Sequence, residues 1–186
     1  YLVAGLGNPG DKYARTRHNV GFMVAGHLAK RFGLPLEKKK FDVEYNIGEM
    51  ANKKIFLARP MTFMNNSGHA LFQLARYFKL ESQKMLIIHD DIDLTFGKIK
   101  IKTKGGHGGH KGVEDIINAF GNNVFTRIRI GVDHPGDKDD VVGHVLGNFS
   151  TEEMNGLDQL IQHAGDAAET ILRKNEKEAM RLFHGT

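Results

Sequence analysis

"YLVAGLGNPG", residues 1–10, decides how the rest of the chain is read. Four apolar residues, Tyr1 to Ala4, run into Gly5-Leu6-Gly7-Asn8-Pro9-Gly10. An apolar run that stops at glycine reads as a buried strand, here Tyr1–Gly7, ending in a sharp turn. The string G-x-G-x-x-G is also the fingerprint of a dinucleotide-binding turn. That reading requires a helix starting at the turn, with its N-terminus facing a pyrophosphate, and an acid about 20 positions on for the ribose. The residues after Gly10, Asp11 to Arg17, carry no apolar stripe, and Ala29-Lys30-Arg31-Phe32 offers no acid. The nicotinamide reading therefore fails on both counts. Gly5 and Gly7 are instead expected to let the chain turn at the end of the sheet. The turn would present Asn8 from the carboxyl end of a strand, where α/β sheets hold ligands.

Working outward, Asn8–Arg17 reads as a loop, and a helical pattern runs from Val20 to about Gly33. Strands follow at Asp42–Met50 and Lys54–Ala58, then a helix over Asn65–Lys79 and a fully apolar strand at Met85–His89. Lys98–Lys102 and Phe125–Val132 alternate as strands, Lys111–Phe120 is helical, and Thr151–Lys174 and Glu176–Phe183 are amphipathic helices. Strands alternating with helices predict an α/β fold: a three-layer α/β/α domain, residues 1–186, around a twisted, mixed, mostly parallel sheet. At 186 residues and 40% hydrophobic content, one domain with a sizeable core is expected. Absence of cysteine excludes disulfides and thiol chemistry and fits a reducing, cytoplasmic setting. No apolar run approaches 18 residues, so no membrane span is expected. No signal peptide is expected before the first strand, and at least one leading residue is expected to be missing before Tyr1.

Four stretches carry more polar chemistry than their surroundings require. In "TRHNVGF", residues 16–22, His18 stands where loop becomes helix and can act as a base near neutral pH, although a solvated histidine or a cap with Asn19 is the plainer reading. In "MLIIHDDIDL", residues 85–94, an apolar strand ends in His89-Asp90-Asp91. A partly buried carboxylate there can orient a catalytic imidazole, bind magnesium, or simply hold a turn. In "RPMTFMNNSGHA", residues 59–70, Phe63 and Met64 precede the helix cap with no amphipathic reason to be apolar. An adjacent amide such as Asn65 can cap the helix or stabilise a developing oxyanion. In "GKIKIKTKGGHGGHKG", residues 97–112, Lys98, Lys100, Lys102 and Lys104 fall on one strand face. That stripe suits an anionic backbone or a guarded sheet edge. The four glycines after it make a segment able to gate a site, and His107 and His110 within it are weak zinc candidates with no third ligand in view.

Taken together, these stretches resemble bacterial peptidyl-tRNA hydrolase. The matching segments are "GLGNPGDKYARTRHNVGF", "RPMTFMNNSGHAL", "IIHDDIDLTFGKIKIKTKGGHGGHKG" and "RIRIGVDHPGDKDDVVGHVLGNFS", in order and nearly end to end. The resemblance implies hydrolysis of the ester between a peptide's C-terminus and the 3′-terminal ribose of tRNA, with no cofactor and no metal. It implies that His18 is the base activating water and that Asp90 orients it. It implies that Asn8 and Asn65 hold the peptide and its reacting carbonyl, with Tyr13, Phe63 and Met64 shaping the pocket. Lys100 and Lys102 then face tRNA, and Lys102 with Arg129 grips the 5′-phosphate of the acceptor stem. A monomer with no obligate protein partner and no membrane contact is expected.

One position departs from the family pattern. Asn often follows "GHGGH", and here Lys111 stands there. An ammonium keeps the donor role but cannot accept, and a cation there is expected to lower the pKa of a nearby histidine. Lys111 is read as a substrate contact, and His110 as a residue that shares in ordering water. The rival classes are an RNA-binding protein without catalysis, a nicotinamide oxidoreductase, and a metal-dependent hydrolase built on His89, Asp90 and Asp91.

Overall fold

The computed structural model describes residues 1–136 and 140–184; Asp137, Lys138 and Asp139 of the quoted fourth segment, and the last two residues of the expected domain, lie outside the described part. Seven strands form one sheet: β1 (Leu2–Gly5), β2 (Lys38–Lys40), β3 (Val43–Met50), β4 (Lys53–Pro60), β5 (Met85–Asp91), β6 (Ile99–Lys102) and β7 (Thr126–Gly131). Their order is β2-β3-β4-β1-β5-β7-β6. The central four, β4, β1, β5 and β7, are parallel neighbours, whereas β2–β3, β3–β4 and β6–β7 pair antiparallel. β3 and β6 thus run against the other five. The helices are α1 (Val20–Phe32), α2 (Ser67–Tyr77), α3 (Lys111–Phe120), α4 (Val141–Leu146), α5 (Thr151–Arg173) and α6 (Glu176–Phe183).

The central strands alternate between two buried cores, which is why they read as continuous apolar runs. On one face Val3, Leu57, Leu86, Ile88 and Ile128 pack with Val24 and Leu28 of α1 and Leu160, Ala164 and Ala168 of α5. On the other, Leu2, Ala4, Phe56, Met85 and Ile87 meet Leu71 and Leu74 of α2 and Val113 and Ile116 of α3. Helix ends follow local chemistry. Gly33 and Gly121 close α1 and α3 in the left-handed region, and Ser150 with Glu153 forms a reciprocal cap on α5.

Several boundaries differ from the sequence reading by a residue or two, and two elements are new to it. β3 begins at Val43, because Phe41 and Asp42 form a two-residue turn with φ of 52° and 56°. α2 begins at Ser67, after a 3-10 turn over Met64–Asn66. β2 and α4 were not expected: a lysine triplet carries no strand alternation, and the glycines around "VVGHVLG" mask a six-residue helix.

Gly5 and Gly7 also serve a purpose other than turning. Neither has positive φ. A side chain on Gly5 would collide with the backbone oxygen of Gly21 in α1, and one on Gly7 would stand 2.6 Å from the ring of Phe22. Gly21 reciprocates, since its Cβ would lie 2.5 Å from the backbone nitrogen of Leu6. The three glycines let the start of α1 rest directly on the chain leaving β1, where the Phe22 N–H donates to the Leu6 carbonyl at 3.1 Å. α1 therefore begins ten residues beyond Gly10, and its N-terminus is occupied by protein. Gly5→Ala is expected to destabilise the fold by about 2–3 kcal/mol, since backbone on both sides must move. A loss of unfolding free energy in urea titration smaller than about 0.5 kcal/mol would show that the contact relaxes freely.

Candidate active site

The carboxyl ends of β1 and β5 lie side by side, with Gly5 opposite Ile88. Asp90 sits near the end of β5 and is only 2% exposed. A buried carboxylate needs donors, and two imidazoles supply them. His18 Nδ1 lies 2.9 Å from each oxygen of Asp90, and His110 Nε2 lies 2.9 Å from Oδ1. Neighbouring groups settle both tautomers. The Val113 N–H donates to His110 Nδ1, so His110 carries its proton on Nε2 and donates it to Asp90. His18 donates from Nδ1 to an ionised partner, which leaves Nε2 as a lone pair. His89, next in chain, is buried; its Nδ1 donates to the Asp90 carbonyl and its ring packs edge-on to His110.

The charges follow from this arrangement. Burial disfavours ionised Asp90, but His18 and His110 outweigh it and hold the carboxyl well below its ordinary range. Burial likewise opposes the His18 imidazolium, yet the charge and hydrogen bond of Asp90 raise its pKa. Burial, reinforced by His110, pushes His89 far down and keeps it neutral.

Several long-range contacts fix the turn that carries His18. Arg17 pairs with Glu153 at the start of α5 through two bonds, of 3.0 and 2.6 Å, and donates to the Asn148 carbonyl at 2.9 Å. Buried Asn19 accepts from the Asn8 N–H at 2.8 Å and donates to the Asn8 carbonyl at 2.9 Å. Asn8 Oδ1 accepts from the Met64 N–H at 2.8 Å, which fixes the amide orientation and directs Nδ2 elsewhere. The His18 turn, the end of β1 and the loop before α2 are thereby tied into one unit.

A cavity of about 690 Å³ opens over this unit. Its wall includes Asn8, Tyr13, His18, Phe63, Met64, Asn65, Asp90, His110 and Lys111. The rings of Tyr13 and Phe63 meet edge to face at 6.4 Å. Val141, Val142, Val145 and Leu146 of α4 supply an apolar wall that sequence reasoning missed, although their i, i+1, i+4, i+5 spacing is a helical signal. Asn19 and the His110–Asp90 bond were also missed, since neither follows from local pattern.

Lys100, Lys102 and Arg129 stand outside the cavity, on β6 and β7. Ile99 and Ile101 point into the core, so Lys100 and Lys102 share the opposite face. Lys100 lies opposite Arg129, and Lys102 opposite Arg127, so Lys102 and Arg129 are diagonal neighbours. Arg129 is ion-paired with Asp91, which lines the cavity. Arg127 is buried and donates to the carbonyls of Gly105 and Gly106 at 2.9 and 2.8 Å, anchoring the base of the glycine segment.

One expectation changes. The Lys111 ammonium turns to Glu114, 3.0 Å away, and lowers the pKa of that carboxylate. His18 is raised by Asp90 and is not depressed by Lys111. His107 and His110 face different partners, Glu114 at 4.0 Å and Asp90 at 2.9 Å. Among the described residues, His18, Asp90 and His110 offer donor atoms within 4.8 Å of one another. A cation there would have to replace both protons that now bridge to Asp90.

The family model for peptidyl-tRNA hydrolase matches residues 2–186. Among curated proteins, the peptidyl-tRNA hydrolase of Clostridium novyi (strain NT) is 42% identical over all of this chain and 98% of its own length. That of Thermoanaerobacter sp. (strain X514) is 43% identical, with both chains fully covered. Among solved structures, peptidyl-tRNA hydrolase from Acinetobacter baumannii superimposes with a TM-score of 0.90 at 40% identity, covering 97% of this chain and 92% of its own.

The contacts of His18 make a prediction independent of function. Followed by NMR, His18 is expected to titrate above the ordinary imidazole value of about 6.5. In Asp90→Asn the attraction is lost while burial remains, so the midpoint should fall below that value. An unchanged midpoint in the variant would mean that Asp90 does not set the charge of His18.

Proposed function

The chain belongs to the peptidyl-tRNA hydrolase family, and from that premise we propose that it hydrolyses the ester of peptidyl-tRNA with His18 as general base. The observation that carries this reading is the Nδ1 bond from His18 to buried Asp90, which leaves Nε2 free to take a proton. Nε2 removes a proton from water, and the water oxygen attacks the ester carbonyl carbon. The carbonyl oxygen becomes an oxyanion, stabilised by amide donors from Asn8 and Asn65. The bond from carbon to the ribose 3′-oxygen then breaks, and the imidazolium returns its proton to that oxygen. Peptide carboxylate and tRNA leave. Asp90 stabilises the imidazolium between the two proton transfers, and His110 keeps Asp90 ionised and oriented. No step calls on a cofactor or a metal.

Tyr13, Phe63 and Met64 provide an apolar lining for the residues next to the ester. Lys111, at the mouth, contacts substrate when it leaves Glu114. The tRNA body lies along β6, where Lys100, Lys102 and Arg129 meet phosphates and Lys102 with Arg129 holds the 5′ end of the acceptor stem. The basic composition, a formal charge of +4, suits that partner. All these groups come from one chain, which supports a working monomer, and recycling of tRNA places the activity in the cytoplasm. No helix among the described residues is long and apolar enough to cross a membrane.

Two measurements test the two halves of the site. His18→Ala is expected to slow peptide release from peptidyl-tRNA at least about a hundredfold, the usual scale for a positioned general base. Near-normal release by that variant would remove His18 from the mechanism. Lys102→Ala should weaken tRNA binding and flatten the dependence of log K on log salt by about one unit. It should spare hydrolysis of a minimal ester lacking the tRNA body, and equal losses on both substrates would contradict a phosphate contact.

A further inference from the structure

Asp115, on the second turn of α3, reaches across to a different helix. Its Oδ2 accepts from the N–H groups of Gly68 and His69, at 2.7 and 3.1 Å. Those groups belong to the first turn of α2, where backbone donors have no partner within the helix. Asn66, the residue before α2, makes no capping bond with its side chain. The cap of α2 is therefore supplied by α3, from 47 and 46 positions further along the chain. It sets a carboxylate at the positive end of the helix dipole.

Close packing reinforces these bonds. A Cβ on Gly68 would lie 2.3 Å from the backbone carbonyl carbon and oxygen of Asp115, so the start of α2 rests on the backbone of α3. A Cβ on Gly112, in the first turn of α3, would lie 2.5 Å from the Met64 sulfur. The 3-10 turn Met64–Asn66 is thus held from both sides. Asn8 accepts its first N–H, and Asp115 accepts the N–H groups just beyond it. Asn65 stands at the middle of that turn and lines the cavity. No hydrogen bond among the described residues holds the Asn65 amide itself, so its aim depends on the backbone that carries it.

We propose that Asp115 is a positioning residue for Asn65, acting through the first turn of α2 to keep that amide at the reacting carbonyl. The inference rests on the reading of Asn65 as an oxyanion donor. In that reading α3 serves both halves of the chemistry. Its cap, His110, holds the carboxylate that partners His18. Asp115, five residues on, holds the turn that carries the donor. One helix then fixes the distance between base and donor. An oxyanion develops at one point in space, and an amide displaced from that point by about an ångström loses most of its effect.

The test is a double-mutant cycle on peptide release from peptidyl-tRNA, with kcat and KM measured separately. Asn65→Ala alone is expected to lower kcat about a hundredfold, the scale for one oxyanion donor. Asp115→Ala should lower kcat about tenfold with little change in KM, and should have almost no further effect in the Asn65→Ala background. Asp115→Asn can present an oxygen to the same two N–H groups and should keep kcat within about twofold of the unaltered protein. The NMR midpoint of His18 should stay in place in each Asp115 variant, since Asp90 sets it. Asp115 is partly exposed, so water reaches the freed N–H groups; Asp115→Ser supplies the same cycle if the alanine variant does not fold. An unchanged kcat in Asp115→Ala overturns the proposal. So does a shifted His18 midpoint, or an asparagine variant as slow as the alanine one. A loss that persists in full in the Asn65→Ala background would mean that Asp115 supports the fold at large; it overturns the proposal and leaves the catalytic reading of Asn65 standing. Near-normal kcat in Asn65→Ala removes that reading, and the proposal with it.

Discussion

A carboxylate buried at the end of an apolar strand is costly unless donors surround it, and Asp90 sets that condition for the whole carboxyl edge of the sheet. Its two imidazole partners come from opposite parts of the chain: His18 from the turn before α1, and His110 from the start of α3. Each must be delivered within about 3 Å and with its proton on the right nitrogen. His110 meets both demands with one ring, since Nδ1 caps α3 while Nε2 donates to Asp90. The helix start and the charge network are one structure, so a change that frays the first turn of α3 also releases the carboxylate.

The rest of the edge is arranged to deliver His18. α1 can start so close to β1 only because Gly5, Gly7 and Gly21 leave room at the contact. Asn19 then closes on the backbone of Asn8, and Arg17 reaches the start of α5. Glu153 completes the cap of α5 with Ser150 while accepting Arg17, so the long helix and the His18 turn are fixed by the same carboxylate. These bonds span a substantial fraction of the chain and surround a turn that has little regular structure of its own. Precision at His18 comes from its neighbours and not from local propensity.

That division explains what was legible in the sequence. The strand at Met85 could be read because it is apolar on both faces and stops at charge. The two faces of β6 could be read because Lys and Ile alternate. The cap of α5 and the glycine ends of α1 and α3 are local signals. The bond from His110 to Asp90 and the clamp of Asn19 on Asn8 join residues 20 and 11 positions apart without any periodic pattern. Arg127 reads as one more basic strand residue until the carbonyls of Gly105 and Gly106 come to it. The glycine segment looked free for the same reason. Gly5 and Gly7 were visible as glycines but not as contacts, because the helix they meet starts well down the chain.

Lys111 shows how a local exception is absorbed. A cation at the mouth of the cavity would oppose protonation of His18 if it stood alone. Glu114, one turn further along α3, takes the ammonium at 3.0 Å. The pair adds little net charge, and Lys111 is largely exposed, so solvent and salt screen what remains. Asp90 acts on His18 from within hydrogen-bond distance and out of contact with water, where Coulomb forces are far less screened. The nearer, buried charge wins, and the imidazole keeps its raised proton affinity with lysine at this position. α3 thus carries the counter-ion of this lysine three residues on.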